Sequence, residues 1–305
     1  MINQDRKLRL EMTSTAFRGP GGEHNYQNCR DACRQHGFEF GVQLHNSSSR
    51  DEIEWLAASG VTLSAHAPLL SAYGINLGAE SLEPSWEIIR ANAALFDELG
   101  IHKTVFHGFI MTDAPVPAYG HGRTYNECMQ EIFRPELSID GKSRMCNDFT
   151  GTPEFKTRIY RVKERLQRIR MEFPHIMWCI ENDFPAFGSA NLFSENSAYL
   201  QNPICLDTSH LWATCHLFDR DFHEETSRFL SDCQVKMVHL HASKYTAEIP
   251  KADWDDGHLP LRTHNEMNLP RFIRSCRDAG IDYYILEVSQ GTFEDIHTFA
   301  EMWNS

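Results

Sequence analysis

The chain has 305 residues, enough for one large domain or two small ones with a sizeable core. Hydrophobic residues make up 41% and charged residues 23%, an ordinary globular balance that excludes fibrous and disordered classes. A formal net charge of −13 disfavours a broad nucleic-acid-binding face, which draws its affinity from Lys and Arg, and no apolar run approaches the roughly 18 residues of a membrane span.

Met1 to Arg9 is polar and basic, without the apolar stretch and cleavage site of a secretory signal, so a cytoplasmic protein is expected. From there short β-rich runs alternate with helical segments. A strand over 7–14 precedes a helix over 24–36; the following pairs are 38–45 with 49–59, 61–68 with 83–99, and 102–108 with 153–173. The second half continues with 176–182 and 194–201, 203–208 and 220–233, 235–242 and 268–279, and 282–288 and 292–303. Ser49-Arg50-Asp51-Glu52 reads as a capping box, Thr152-Pro153 as an N-cap with proline in the first turn, and Gly60, Gly100 and Gly280 as helix stops. Eight βα units with no Gly-rich first turn predict an α/β protein, a (β/α)8 TIM barrel spanning 1–305 as a single domain, rather than a doubly wound sheet.

Two connections exceed simple loops: 108–151 after the fourth strand and Ser243 to Asn265 after the seventh, both on the face where barrel active sites form. The first, with Pro115, Pro117, Tyr119 and Tyr125, reads as a lid or as a surface insertion. Nine cysteines without a paired CxxC predict reduced thiols, several of them buried.

The histidines, 16 in all, gather with acids at strand ends. In order come His66, His107, Glu181, Asp207 with His210, His239, the pair Asp256 and His258, and Glu287. Strand alternation places Leu63, Ala65, Val238 and Leu240 on the face opposite to His66 and His239, so the imidazoles point into the barrel. By the same parity Glu181 lies one layer above Cys179 and Asp207 one layer above Cys205, where the thiols act as core filler. Burying four carboxylates without cations costs several kcal/mol each. Two or three divalent ions are the economical explanation, with Zn favoured by mixed imidazole and carboxylate ligands and Mn or Fe as alternatives.

The ordered series H-A-P (His66), F-H-G (His107), I-E-N (Glu181), L-D-T-S-H (Asp207, His210), H-L-H-A-S-K (His239), D-G-H (Asp256, His258) and L-E (Glu287) resembles the xylose-isomerase-like TIM barrels, in particular the AP endonuclease family 2 and its endonuclease IV branch. That resemblance implies a first metal on His66, His107 and Glu181, with Glu181 bridging to a second on Asp207, His239 and Glu287. It implies a third on His210, Asp256 and His258, and cleavage of a phosphoester, abasic-site DNA included, by a metal-activated hydroxide. The sugar isomerases and epimerases of the same superfamily resemble the chain only at Glu181, Asp207, His239 and Glu287, a one-metal set with Glu181 and Glu287 as the catalytic candidates for proton transfer. The sequence departs from the DNA-repair members after His66, where Ala67-Pro68-Leu69-Leu70 lacks their wedging aromatic residue, and after the D-G-H loop, where Leu259-Pro260-Leu261 replaces a glycine-rich turn.

Gln43, His45 and Lys244 are candidate substrate contacts or plain surface polarity, and His241 is a candidate partner for a ligating imidazole. Arg123, Lys142 and Arg144 are candidates to meet an anion. Three functions follow: a phosphoester hydrolase, a sugar or sugar-phosphate isomerase or epimerase, and a non-catalytic metal-binding scaffold. The partner is an anionic or sugar-like small molecule, with DNA left open despite the net charge.

Overall fold

Eight strands form where the β-rich runs lie, with ends shifted by a residue or two: β1 (Arg9–Thr13), β2 (Glu39–Leu44), β3 (Thr62–Ala67), β4 (Lys103–Phe106), β5 (Met177–Glu181), β6 (Pro203–Asp207), β7 (Gln234–Leu240) and β8 (Tyr283–Leu286). The computed structural model describes residues 7–120, 122–245 and 248–305. Most of the polar start, together with His121 in the first long connection and Thr246 and Ala247 in the second, lies outside the described residues. All strand pairs are parallel and follow chain order, and β8 closes on β1, so the expected (β/α)8 barrel forms.

The helices are α1 (Gly22–His36), α2 (Arg50–Ala58), α3 (Glu83–Leu99), α4 (Tyr125–Gln130), α5 (Pro153–Glu172), α6 (Ser194–Leu200), α7 (Thr208–Leu217), α8 (Phe222–Asp232), α9 (Leu269–Asp278) and α10 (Phe293–Asn304). Their starts follow capping chemistry. Ser49 Oγ accepts the Glu52 N–H and the Glu52 carboxylate accepts the Ser49 N–H, which satisfies two otherwise orphaned donors. Thr152 caps α5 in the same sense, its Oγ1 accepting the Phe155 N–H.

Two helices go beyond the sequence reading. α4 lies within the first insertion, and α7 begins directly after β6, where the DTSH segment reads as a turn. Nearly every α7 residue is buried, so no polar face alternates with an apolar one and the helical period leaves no mark in the sequence.

Side-chain alternation sorts the barrel into two packing regions. Outward residues such as Leu10, Val42, Ala65, Trp178, Leu206 and Val238 join the large core beneath the helices. Inward residues Val105, Cys179, Cys205, Met237, Tyr283 and Ile285 form a separate small cluster, an apolar floor under the strand ends. The insertion after β4 is tied down at both ends. Arg134 and Arg158 pair with Glu154 at the start of α5, and Arg158 also pairs with Asp113. Backbone bonds from Gly74 N to Val116 O (2.8 Å) and from Ala118 N to Ala72 O (3.0 Å) zip the insertion to the loop after β3. No helix among the described residues is long and apolar enough to cross a membrane.

Candidate metal centre

Above the apolar floor the next inward positions are all polar. His66 sits near the end of β3, Glu181 and Asp207 end β5 and β6, His239 is the penultimate residue of β7, and His107 and Glu287 follow β4 and β8 directly. The register pairs Asp207 with His239 on neighbouring strands, which brings residues 32 positions apart in the chain side by side.

The donor atoms of His66, His107 and Glu181 lie within 4.8 Å of one another, and so do those of Glu181, Asp207, His239 and Glu287. Glu181 belongs to both clusters. His66 Nε2 is 3.2 Å from Glu181 Oε2, while His239 Nδ1 is 2.6 Å from Glu181 Oε1 and 2.8 Å from Glu287 Oε2. Farther along, Asp256 Oδ2 stands 2.9 Å from His210 Nε2 and 2.7 Å from His258 Nε2, while the trio there whose donor atoms all lie within 4.8 Å of one another is His241, Asp256 and His258. Rings link the clusters: His107 lies 5.1 Å from His66 and 5.7 Å from His210, centroid to centroid.

Outer partners fix three of these imidazoles. His210 Nδ1 donates to the Asn182 carbonyl at 2.8 Å and His258 Nδ1 to the Glu287 carbonyl at 2.8 Å, so each presents Nε2 to the interior. His107 Nδ1 lies 2.8 Å from Asp183 Oδ1. Such partners set the tautomer and orientation that a ligating imidazole needs. The D-G-H loop is held by paired backbone bonds between Ala242 and Leu259. Gly257 is required there, because a Cβ would sit 2.6 Å from the Ala242 carbonyl oxygen.

The electrostatics favour cations. Glu181, Asp207 and Glu287 are buried, and among the described residues no Lys or Arg pairs with them or with Asp256; their partners are histidines, backbone amides and Ser209. Burial opposes ionisation of Glu181, yet the charges of His239 and His107 hold it well below the usual carboxylate range. Burial likewise opposes protonation of His258, but Asp256 and Glu287 raise it to about 10. Imidazolium ions thus stand in for positive charge at the centre. Two buried nitrogens, His66 Nδ1 and His239 Nε2, find no hydrogen-bond partner. A donor set of imidazoles and carboxylates fits borderline divalent metals. Cys205 Sγ also approaches Glu181 and His239, and burial pushes its thiol up to about 12.

A cavity of about 510 Å³ opens onto His107, His210, Asp256, His258 and Glu287. Its far wall comes from the insertion, through Val116, Pro117, Tyr119, Tyr125 and Met129. His45 lines the wall as a neutral imidazole, since burial pushes it down to about 3. Its Nδ1 accepts the Ser47 N–H at 3.1 Å and lies 2.6 Å from Ser47 Oγ, leaving the ring proton on Nε2. Gln43 is buried with Nε2 unpartnered and does not line the cavity. Lys244 is exposed, lies over the Tyr245 ring, and does not line the cavity. Arg123, Lys142 and Arg144 do not line it either: Arg123 pairs with Glu131, Lys142 is exposed, and Arg144 bonds Asn126. Arg18 does reach the cavity but is held by Glu52.

Two residues escape the sequence reading. Asp183 follows the I-E-N motif directly and carries no signal beyond that adjacency. In the loop after His66, Tyr73 is 51% exposed and bridges to Pro117 of the insertion.

No family model and no curated protein matches the chain. Solved structures do. A D-tagatose 3-epimerase-like protein is 13% identical, with 97% of this chain and 98% of that one covered at a TM-score of 0.58. Endonuclease IV from Thermus thermophilus is 17% identical, with 96% and 99% covered at 0.53. These likenesses extend over nearly the whole chain and show a shared (β/α)8 barrel fold. An IOLI protein with a bound zinc atom is a further such neighbour, 12% identical, with 97% and 96% covered at 0.51. At these identities the likeness is one of fold, and one barrel fold hosts more than one chemistry.

Proposed function

We propose that the chain is a metal-dependent hydrolase that cleaves a small phosphoester in the covered cavity. The observation that carries this reading is the sharing of Glu181 between two donor clusters, with Asp256 on the cavity wall in contact with both His210 and His258. His66, His107 and Glu181 would hold one ion, Glu181, Asp207, His239 and Glu287 a second, and His210, Asp256 and His258 a third. When bound, such ions supply Lewis acidity to a phosphoryl oxygen and make water nucleophilic near neutral pH.

The side chains supply the rest. His45 offers a neutral Nε2–H donor to a substrate oxygen. Burial raises the Tyr119 hydroxyl above its ordinary range, so it stays protonated and can also donate. Val116, Pro117 and Tyr119 exclude bulk water from the wall opposite the carboxylates, which strengthens every polar contact inside. The same wall favours a small molecule over a DNA duplex. The zinc atom of the IOLI neighbour and the imidazole-rich donor set support zinc as the ion.

The test is hydrolysis of small phosphodiesters and of an abasic-site oligonucleotide by metal-loaded protein. Turnover of the small substrates, abolished by chelator and by Glu181→Gln, is expected; no chelator-sensitive turnover would refute the reading. One observation favours a second reading. Glu181 and Glu287 flank His239 Nδ1 at 2.6 and 2.8 Å, so a single ion beside two carboxylates would suit a sugar isomerase or epimerase. Uptake of solvent deuterium at a ketose carbon would select it.

A further inference from the structure

His107, His210 and His258 each spend one ring nitrogen on an outer partner and turn the other inward. His241 differs. It is fully buried just past the end of β7, and its Nδ1 accepts the His258 backbone N–H at 2.9 Å. The ring proton therefore sits on Nε2, which donates to Asp207 Oδ2 at 2.8 Å. The donor atoms of His241, Asp256 and His258 fall within 4.8 Å of one another, but both His241 nitrogens are committed to protein groups, so the ring has no lone pair for an ion.

Further contacts lock this ring between the clusters. It stacks on His258 with centroids 4.5 Å apart and planes 9° from parallel. Thr208, at the start of α7, accepts the His241 N–H at 3.1 Å and donates to the His241 carbonyl at 2.9 Å. The other Asp207 oxygen accepts the His210 N–H at 2.8 Å, so the carboxylate has little freedom once His241 is in place.

We propose that His241 is a positioning residue that couples two of the three clusters. One nitrogen orients Asp207 of the second cluster, and the other holds the loop carrying Asp256 and His258 of the third. Displacing that loop tilts the imidazole and, with it, the Asp207 carboxylate. Filling either site therefore raises the affinity of the other, and the coupling acts equally in both directions. This inference rests on the multinuclear reading above.

The experiment titrates zinc into the metal-free full chain by calorimetry, with elemental analysis of the loaded protein. The wild type is compared with His241→Gln, His241→Asn and His241→Phe. The Gln amide can reproduce the donor to Asp207 and the Asn amide the acceptor for the His258 N–H, whereas Phe keeps the stack and loses both bonds. The wild type is expected to take about three ions, two of them cooperatively. H241Q and H241N should uncouple those two, and H241F should weaken both about 10- to 100-fold while leaving the His66, His107 and Glu181 site unchanged. A merely structural role would lower all three affinities together with the thermal midpoint, and that pattern overturns the proposal. Three ions bound with unaltered cooperativity in every variant overturns the coupling alone. A wild type that takes one ion overturns the multinuclear reading and the coupling with it. Should H241F fail to fold, the Gln and Asn variants decide, together with the 15N shifts of His241 in the wild type: a bare Nδ1 is expected, and a protonated one refutes the proposal.

Discussion

Asp183 Oδ1 stands 2.8 Å from His107 Nδ1, while its second oxygen accepts the Asn191 N–H at 3.0 Å. The carboxylate is buried, so the hydrogen-bonded loop after β5 sets the angle at which His107 offers Nε2 to the cavity. Asp183→Asn keeps the shape but weakens the acceptor. Zinc affinity should fall about 10- to 100-fold in one site, read by competition with a chromogenic chelator, with little change in thermal stability. Unchanged affinity would leave Asp183 a purely structural group.

Removing metal should destabilise the fold, because Glu181, Asp207 and Glu287 then rely on imidazoles alone for compensating charge. Ligand linkage gives about 2.7 kcal/mol of stabilisation at a hundredfold excess over the dissociation constant. Thermal melts with chelator and with zinc should separate by several degrees. Coincident curves would speak against a resident ion.

The pH dependence of the metal-free protein has a defined sign. Burial lowers His258 and the Asp256 and Glu287 charges raise it, to about 10, against roughly 6.5 in an unfolded chain. Its stabilisation is complete below about pH 6.5 and is lost as pH climbs toward 10. Zinc needs the bare nitrogen, so zinc affinity should rise across the same interval. Denaturant melts of chelated protein from pH 6 to 10, beside zinc titrations, check both slopes; parallel slopes would contradict the assignment.

Gly257→Ala forces a Cβ to within 2.6 Å of the Ala242 carbonyl oxygen. The strain has backbone on both sides, so it should cost about 1–3 kcal/mol in urea unfolding. It should also displace Asp256 and His258 and lower the number of ions bound. A neutral substitution would mean that the loop after β7 adapts freely.

At His45 the donor, not the ring, is predicted to matter. His45→Ala should raise KM about tenfold, the worth of one hydrogen bond near 1.4 kcal/mol, while His45→Gln retains an N–H and most of the affinity. Equal losses in the two variants would argue for packing instead.

Much of this arrangement is readable in the residues. Ala65 and Val238 face the helices, so strand parity sends His66 and His239 inward before any coordinates are known. What escapes has physical causes. The helix that carries His210 is buried along nearly its whole length, so no periodicity betrays α7, although His210 itself is legible beside Asp207. Asp183 works through a loop contact, and the pairing of Tyr73 with Pro117 joins two segments far apart in the chain. The idle placement of Lys244 depends on the direction of a loop, which its composition does not encode.

Glu181 has a double allegiance, one oxygen toward His66 and the other toward His239. A residue held in common cannot be retuned for one neighbour without disturbing the other. Any change of ion preference must therefore be accommodated at positions owned by a single cluster, such as His107 or Asp207, which makes those the places where variants with new metal tastes should be sought.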